Sequence, residues 1–356
     1  VNQPALAELT QDQQVEGVYL LAAKQLLTTK NGKPYGSLRL SDPTSQIEAK
    51  LWDQAEEILG PVEPGQAVHI RAKVEVFQGR VQLVLNSLDP APQIDPADLL
   101  PASPLSLAQL SQGLDGALAS IGDKNLKQLL EYFFAPDAAF RETFCRAPAA
   151  KAAHHAYVRG LLEHTLSVAS MTRQMAALYP QMSHDLLLAG ALLHDIGKTA
   201  ELTLGPPLDY TDQGRLVGHV VLGVRMLDQA LSTLKGFPPE IADHLHHMIL
   251  SHHGSLEFGS PVLPATAEAL ALHFADDLDA KLAILGEAQK ASQPDAGNWS
   301  QFNRLMERFL WVGPTPLPHS SAPAPEFPAK KKGPAPPDGQ PSPLGLFDAT
   351  QNKDQG

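Results

Sequence analysis

The sequence predicts a multidomain α+β fold: a small β-barrel, then an all-helical domain, then a disordered proline-rich tail. Three observations carry that prediction. Residues 15 to 90 are rich in β-branched, aromatic and aliphatic residues in partial alternation. Past a cluster of prolines the apolar period lengthens from two residues to 3.6, the repeat of a helix. After Trp311 periodicity vanishes among prolines and lysines, a composition that cannot bury enough apolar surface to offset the entropy of ordering. With 356 residues, 43% of them apolar, the chain can fill roughly two cores.

The barrel comes first, over residues 1–90. Strands are expected at Val15–Leu27, Tyr35–Leu40, Gln46–Trp52, Ala67–Val76 and Arg80–Leu85, broken by turn residues such as Asn31-Gly32 and Gln78-Gly79. A short helix fits residues 53–60, between the third and fourth strands. That order suits an OB-fold, a five-stranded barrel that commonly binds single strands. Pro90, Pro92, Pro96, Pro101 and Pro104 mark 91–106 as a linker. Helices are then expected near 122–134, 137–146, 158–178, 183–196, 214–233, 239–252, 264–287 and 298–310, within a helical domain at 107–311. The tail is 312–356.

Composition excludes several classes. A single cysteine, Cys145, forbids an internal disulfide, and no stretch approaches the ~20 apolar residues of a membrane helix. The first residues, VNQPALAELTQDQQ, lack the pattern of a secretion signal, so the expected compartment is the cytoplasm. A net charge of -12 argues against coating nucleic acid by bulk electrostatics and leaves room for a local basic groove.

Most of the 14 histidines fall in the helical domain. His164 shares an apolar stripe with Leu161, Val168 and Met171, and His252 follows Met248 and Ile249 at helical spacing, so both face inward. His247 lies off that stripe and reads as a surface residue. His194 and Asp195 end the apolar run of ALLHDIGK. On the last long helix Leu270, Phe274, Leu278, Leu282 and Leu285 are expected to form the core stripe, and Asp277 to pair with Lys281 in solvent. Asp276 and Asp279 share a neighbouring face flanked by apolar groups. Burying a lone carboxylate costs several kcal/mol, and a cation among neutral imidazoles would compensate it. One inward histidine is more often a hydrogen-bonded core residue; several histidines and carboxylates on converging helices point to a metal.

The order His164, His194-Asp195, Asp276 resembles the HD superfamily of metal-dependent phosphohydrolases. Lys198 in HDIGK, His219 in GHV and the pair His252-His253 in SHHG also match, and in the family's larger sites such histidines help to hold a second metal. Together with the preceding barrel, HHAYVRGLLEHTLSV, ALLHDIGK and SHHGSLEFGSPVLPATAEALALHFADDLDAK resemble the YhaM-type bacterial 3'-to-5' exoribonucleases over about residues 15 to 310. The basic arm on the barrel is modest by comparison.

The resemblance implies metal ligands at His164, His194, Asp195, Asp276, His219, His252 and His253, with Asp195 and Lys198 catalytic. A mixed nitrogen and oxygen shell suits Mn²⁺, the ion the family favours, or Co²⁺, Fe²⁺ or Zn²⁺, more than Mg²⁺. Such an ion lowers the pKa of a water, and Lys198 either stabilises transition-state charge or complements its helix end. Single-stranded RNA or DNA is the expected partner, gripped on the barrel by Tyr35, Trp52 and Phe77 through stacking and by Lys33 and Lys73 through phosphate contacts. His154 and His155 either touch substrate or cap a helix, and Phe258 to Pro261 form either a substrate wall or an ordinary turn. The tail's PLGLFD is a candidate docking motif for a protein partner. No membrane partner is expected. Two other functions stand beside the exonuclease: an HD phosphohydrolase acting on free nucleotides, and a non-catalytic single-strand-binding module.

Overall fold

A computed structural model describes residues 3–316 apart from 30, 78–79, 101, 152–154, 206–207 and 291–296. His154 and the PLGLFD motif lie outside the described residues. Five strands, β1 (Gln14–Thr28), β2 (Pro34–Ser41), β3 (Gln46–Leu51), β4 (Ala67–Phe77) and β5 (Arg80–Pro90), close into a barrel in the order β1-β2-β3-β5-β4. β1 is long enough to serve two neighbours: Gln14 to Leu20 pair with β4 and Leu20 to Thr28 with β2. A register shift between Leu21 and Ala23 bends the strand where it changes partner. Parallel pairing of β3 with β5 closes the ring. Alternation sends Val15, Tyr19, Leu21, Leu40, Ile70, Val74 and Leu83 inward. The helix α1 (Ala55–Leu59) seals one end, adding Ala55 and Leu59 to the same core.

The linker is more ordered than its prolines imply. Ala91, Leu99 and Leu100 pack with Val18, Leu20 and Ala67 of the barrel and with Val158. Ala102 bridges Val158 in parallel, and Ser103 N donates to Val158 O at 3.0 Å. A continuous apolar patch therefore joins barrel, linker and helical part.

The helices are α2 (Leu107–Ser120), α3 (Lys124–Phe134), α4 (Ala139–Arg146), α5 (Gly160–Leu178), α6 (His184–Leu193), α7 (Lys198–Glu201), α8 (Asp212–Val217), α9 (His219–Thr233), α10 (Pro239–Ser251) and α11 (Ala267–Lys290). α5 and α6 are the centre of the helical core: Leu161, Leu162, Val168, Leu188, Leu192 and Leu193 are fully buried. Among the described residues no helix is long and apolar enough to cross a membrane.

Several expectations need correction. The region 107–120, not expected to be helical, forms α2, started by a reciprocal cap between Ser106 and Gln109. The expected helix at 214–233 is two helices broken at Gly218, whose φ is +77°. Residues 298–310 form no helix; Trp299 bridges Trp311 and Asn303 bridges Arg308, as in a hairpin. On α11 the expected core stripe is turned outward, with Leu270, Phe274, Leu278 and Leu282 all exposed, while Ala269, Leu272 and Ala275 are buried. The smaller residues let α11 approach α5 and α6 closely, and that approach brings Asp276 and Asp279 to the histidines.

Candidate active site

Helix ends place most of the cluster. His194 is the C-cap of α6 and His252 the C-cap of α10, and each turns its Nδ1 back to the carbonyl three residues earlier, Ala191 O at 2.9 Å and Ile249 O at 2.7 Å. His219 opens α9, its Nδ1 3.0 Å from Glu201 Oε1. His253 Nδ1 reaches Phe258 O at 2.7 Å, and His164 Nδ1, from within α5, reaches Asp279 Oδ2 at 2.7 Å. All five Nδ1 atoms are thus committed to acceptors, which fixes each neutral ring with its proton on Nδ1 and leaves the Nε2 lone pair free.

Four of those Nε2 atoms surround Asp195, and the fifth, of His253, lies beside His219. The Nε2 atoms of His164 and His194 are 3.3 Å apart, as are those of His219 and His253. Asp195 Oδ2 lies 3.3 Å from His194 Nε2 and 3.5 Å from His164 Nε2; Oδ1 lies 3.6 Å from Nε2 of both His219 and His252. One carboxylate oxygen therefore faces each group of imidazoles. Asp276 Oδ1 completes the first group at 3.1 Å from His164 Nε2. Within each of the sets His164-His194-Asp276 and His219-His252-His253 the donor atoms lie within 4.8 Å of one another, close enough to share an ion.

The donor set fits a divalent cation. Asp195 Oδ1 and His252 Nε2 are buried and accept no hydrogen bond, a costly state for polar atoms unless a cation occupies the space between them. Lys198 Nζ stands 2.7 Å from Asp195 Oδ2, a positive charge where one is needed. Burial opposes the charged form of Asp195, but Lys198, His194 and His164 outweigh it and hold the carboxyl well below its usual range. Burial likewise opposes ionised Asp276, and His164 and His194 pull it far down. Burial, with His252 and His219 close by, pushes His253 down to about 3, so that ring is neutral at physiological pH. His252 is lowered chiefly by burial. His164 is lifted despite its burial by Asp195, Asp276 and Asp279, which marks that end of the cluster as a seat for positive charge.

Two glycines permit this convergence. A Cβ on Gly197 would lie 2.0 Å from His219 O, so only glycine lets the α6–α7 turn meet the start of α9. Gly254 has φ +75°, and its Cβ would enter the His273 ring, which holds His252 O at 2.9 Å through Nδ1.

All seven residues expected to ligate metal, with Lys198, come together. The orienting groups Asp279 and Glu201 were not among them, nor was His155, which is buried with Nε2 2.9 Å from Asp279 Oδ2 and Nδ1 2.8 Å from Tyr157 Oη. Sequence spacing singles out Asp279 with Asp276 by their three-residue offset, but not as the group that orients His164. Glu201 carries no such mark, since only the fold brings α7 against the start of α9. His247, expected in solvent, is half-buried and accepts from Ala265 N at 2.9 Å. Asp277 and Lys281 form the expected exposed pair at 2.6 Å.

On the barrel a groove of about 790 Å³ is lined by Tyr35, Lys50, Trp52, Phe77, Val81 and Gln82 among others. Tyr35 and Trp52 stack on each other with centroids 4.8 Å apart, and Phe77 is 60% exposed. The two lysines expected to serve phosphates are placed differently: Lys33 pairs with Asp53 and Lys73 with Asp12, each at 2.7 Å, and neither lines the groove. Lys50 does, its Nζ donating to Ser37 Oγ at 2.8 Å.

Known proteins match both parts. The HD domain family matches residues 161–281, and an OB-fold nucleic acid binding domain family matches residues 20–91. The 3'-5' exoribonuclease YhaM of Bacillus subtilis (strain 168) is 33% identical over 306 residues, spanning 85% of this chain and 96% of that protein. The proteins of the same name from Oceanobacillus iheyensis and Halalkalibacterium halodurans are each 32% identical, spanning 81% and 84% of this chain and 91% and 93% of theirs. With 32–33% identity over most of both chains, this chain belongs to the YhaM family of 3'-5' exoribonucleases.

Proposed function

We propose that the chain is a metal-dependent hydrolase that shortens single-stranded RNA from its 3' end. One observation carries this reading: five imidazoles are each anchored through Nδ1, and four of them place Nε2 within 3.6 Å of one of the two oxygens of a single buried aspartate, with the fifth, His253, beside His219. His164, His194, Asp195 and Asp276 would hold one ion; Asp195, His219, His252 and His253 would hold a second. Nitrogen-rich shells of this kind favour Mn²⁺ over Mg²⁺ or Ca²⁺, which prefer oxygen. A divalent cation there supplies Lewis acidity to a phosphate and makes water nucleophilic near neutral pH.

The chain's own residues supply the rest. Water adds to phosphorus, one P–O bond breaks and the leaving oxygen takes up a proton. Lys198, its side chain 12% exposed at the edge of the cluster, offers positive charge to the phosphate oxygens as negative charge grows on them. The aromatic groove of the barrel holds upstream nucleotides without regard to sequence, because every base has a π face. The lone cysteine, Cys145, is in keeping with a cytoplasmic enzyme.

The test uses 5'-labelled RNA with the full chain and Mn²⁺ or EDTA. A ladder receding from the 3' end only with metal, and absent in the His194→Ala variant, is the expected result. Cleavage indifferent to chelator, or confined to mononucleotides, would overturn the reading. Matching DNA oligonucleotides establish which sugar the site accepts.

A further inference from the structure

The histidine cluster has a closed and an open side. The side chains of His164, His194, Asp195 and His252 are at most 2% exposed, whereas His219 is 14% exposed and His253 half-buried. Lys198 and Asp276 are comparably accessible, at 12% and 15%, so the edge that a phosphodiester can reach includes His219 and His253 together with these two groups. Two exposed aromatic rings are tied to that edge. Phe258, 70% exposed, is the residue whose carbonyl fixes His253 Nδ1, and its ring is presented by an ordered turn in which Phe258 N donates to Ser255 O and Gly259 N to Leu256 O. Tyr210, 40% exposed, bridges Leu202 and precedes Thr211, whose N donates to Glu201 O at 2.9 Å; the Glu201 carboxylate in turn fixes His219. Each ring is therefore attached, within one residue, to a group that positions one of the two accessible histidines.

Charge separates this rim from an ordinary apolar patch. Arg215 lies 5.6 Å and Lys151 6.0 Å from the Tyr210 ring centroid, and both pair with the same Asp209 oxygen at 2.8 Å. Two cations share one anion, which leaves a positive excess beside an exposed ring on a chain whose net charge is -12. Flat π faces with local positive charge, at the entrance to a phosphodiester-cleaving cluster, match the chemistry of a polynucleotide strand.

We infer that Tyr210 and Phe258 form a second strand-binding subsite, separate from the barrel groove, which stacks the terminal bases at the mouth of the active site while Arg215 and Lys151 take the adjoining phosphates. The inference rests on the proposed function and deepens it. It also gives the enzyme a way to grip the 3' end whatever its sequence, since stacking is indifferent to base identity.

The test compares RNAs that are identical except that the two 3'-terminal nucleotides carry bases or are abasic, using the full Mn²⁺-loaded chain. The wild type is expected to show a KM higher by roughly 5- to 150-fold for the abasic end, the range that loss of ring–base stacking produces. Tyr210→Ala and Phe258→Ala should raise KM for the ordinary end and erase most of the discrimination, whereas Tyr210→Phe and Phe258→Trp should restore it. Metal stoichiometry, measured directly, should match the wild type in all four variants. Equal KM for both ends in the wild type, or full discrimination in both alanine variants, overturns the inference and points to a protein partner for the rim. Failure of the underlying function looks different, because metal-loaded wild type would then shorten neither RNA.

Discussion

Asp279 shows how a residue behind a proposed ligand can govern the site. Its Oδ2 lies 2.7 Å from His164 Nδ1 and 2.9 Å from His155 Nε2, and His155 continues to Tyr157 Oη, which donates to Glu163 at 3.0 Å. A carboxylate behind a ligating imidazole fixes its tautomer and raises its basicity. Asp279→Asn is therefore expected to weaken Mn²⁺ binding by about 10- to 100-fold, read by electron paramagnetic resonance titration of free Mn²⁺. An unchanged Kd would show that Asp279 serves only to bury His155. The sequence placed His164, the His194-Asp195 pair and Asp276 through helical spacing and motif order. It could not tell that His155, left as a substrate contact or cap, turns inward instead, because a residue at φ +51° belongs to no periodic pattern.

At the level of elements the largest misreading concerns α11. Four large apolar residues at four-residue intervals make a persuasive core stripe, yet Phe274 is 59% exposed while Leu272 is fully buried. Phe274→Ser should consequently cost under about 0.5 kcal/mol, as surface changes do, and Leu272→Ala about 2–5 kcal/mol, both from urea midpoints. The reverse ranking would mean that α11 packs by its large residues. Hydrophobicity alone chose the wrong face because the other face carries two aspartates, which periodicity scores as solvent. Those same aspartates reach the imidazoles only if the smaller Ala269 and Ala275 are buried. The helix α2, by contrast, was legible and missed: Ser106 and Gln109 have the spacing of a reciprocal cap.

Across the whole molecule, metal and fold are linked. The candidate ligands come from α5, α6, α9, α10 and α11 or the turns beside them, so an ion held by them would clamp segments that unfolding separates. Mn²⁺ at a hundred times its Kd should stabilise the native state by about 2.7 kcal/mol per site, visible as a rise in Tm that EDTA reverses. The His194→Ala/Asp195→Ala double variant should lose most of that rise; an undiminished rise would place metal binding elsewhere.

Local sequence determined the strands, the succession of elements that suits an OB-fold and the chemical kind of the site, because alternation, helical period and motif order can be read along the chain. Only the tertiary structure decided which face of α11 is buried, that Glu201 and Asp279 anchor His219 and His164, and that Lys50 rather than Lys33 or Lys73 lines the aromatic groove. Each of these depends on atoms far apart in the chain, and close packing settles their distances where no periodicity can reach.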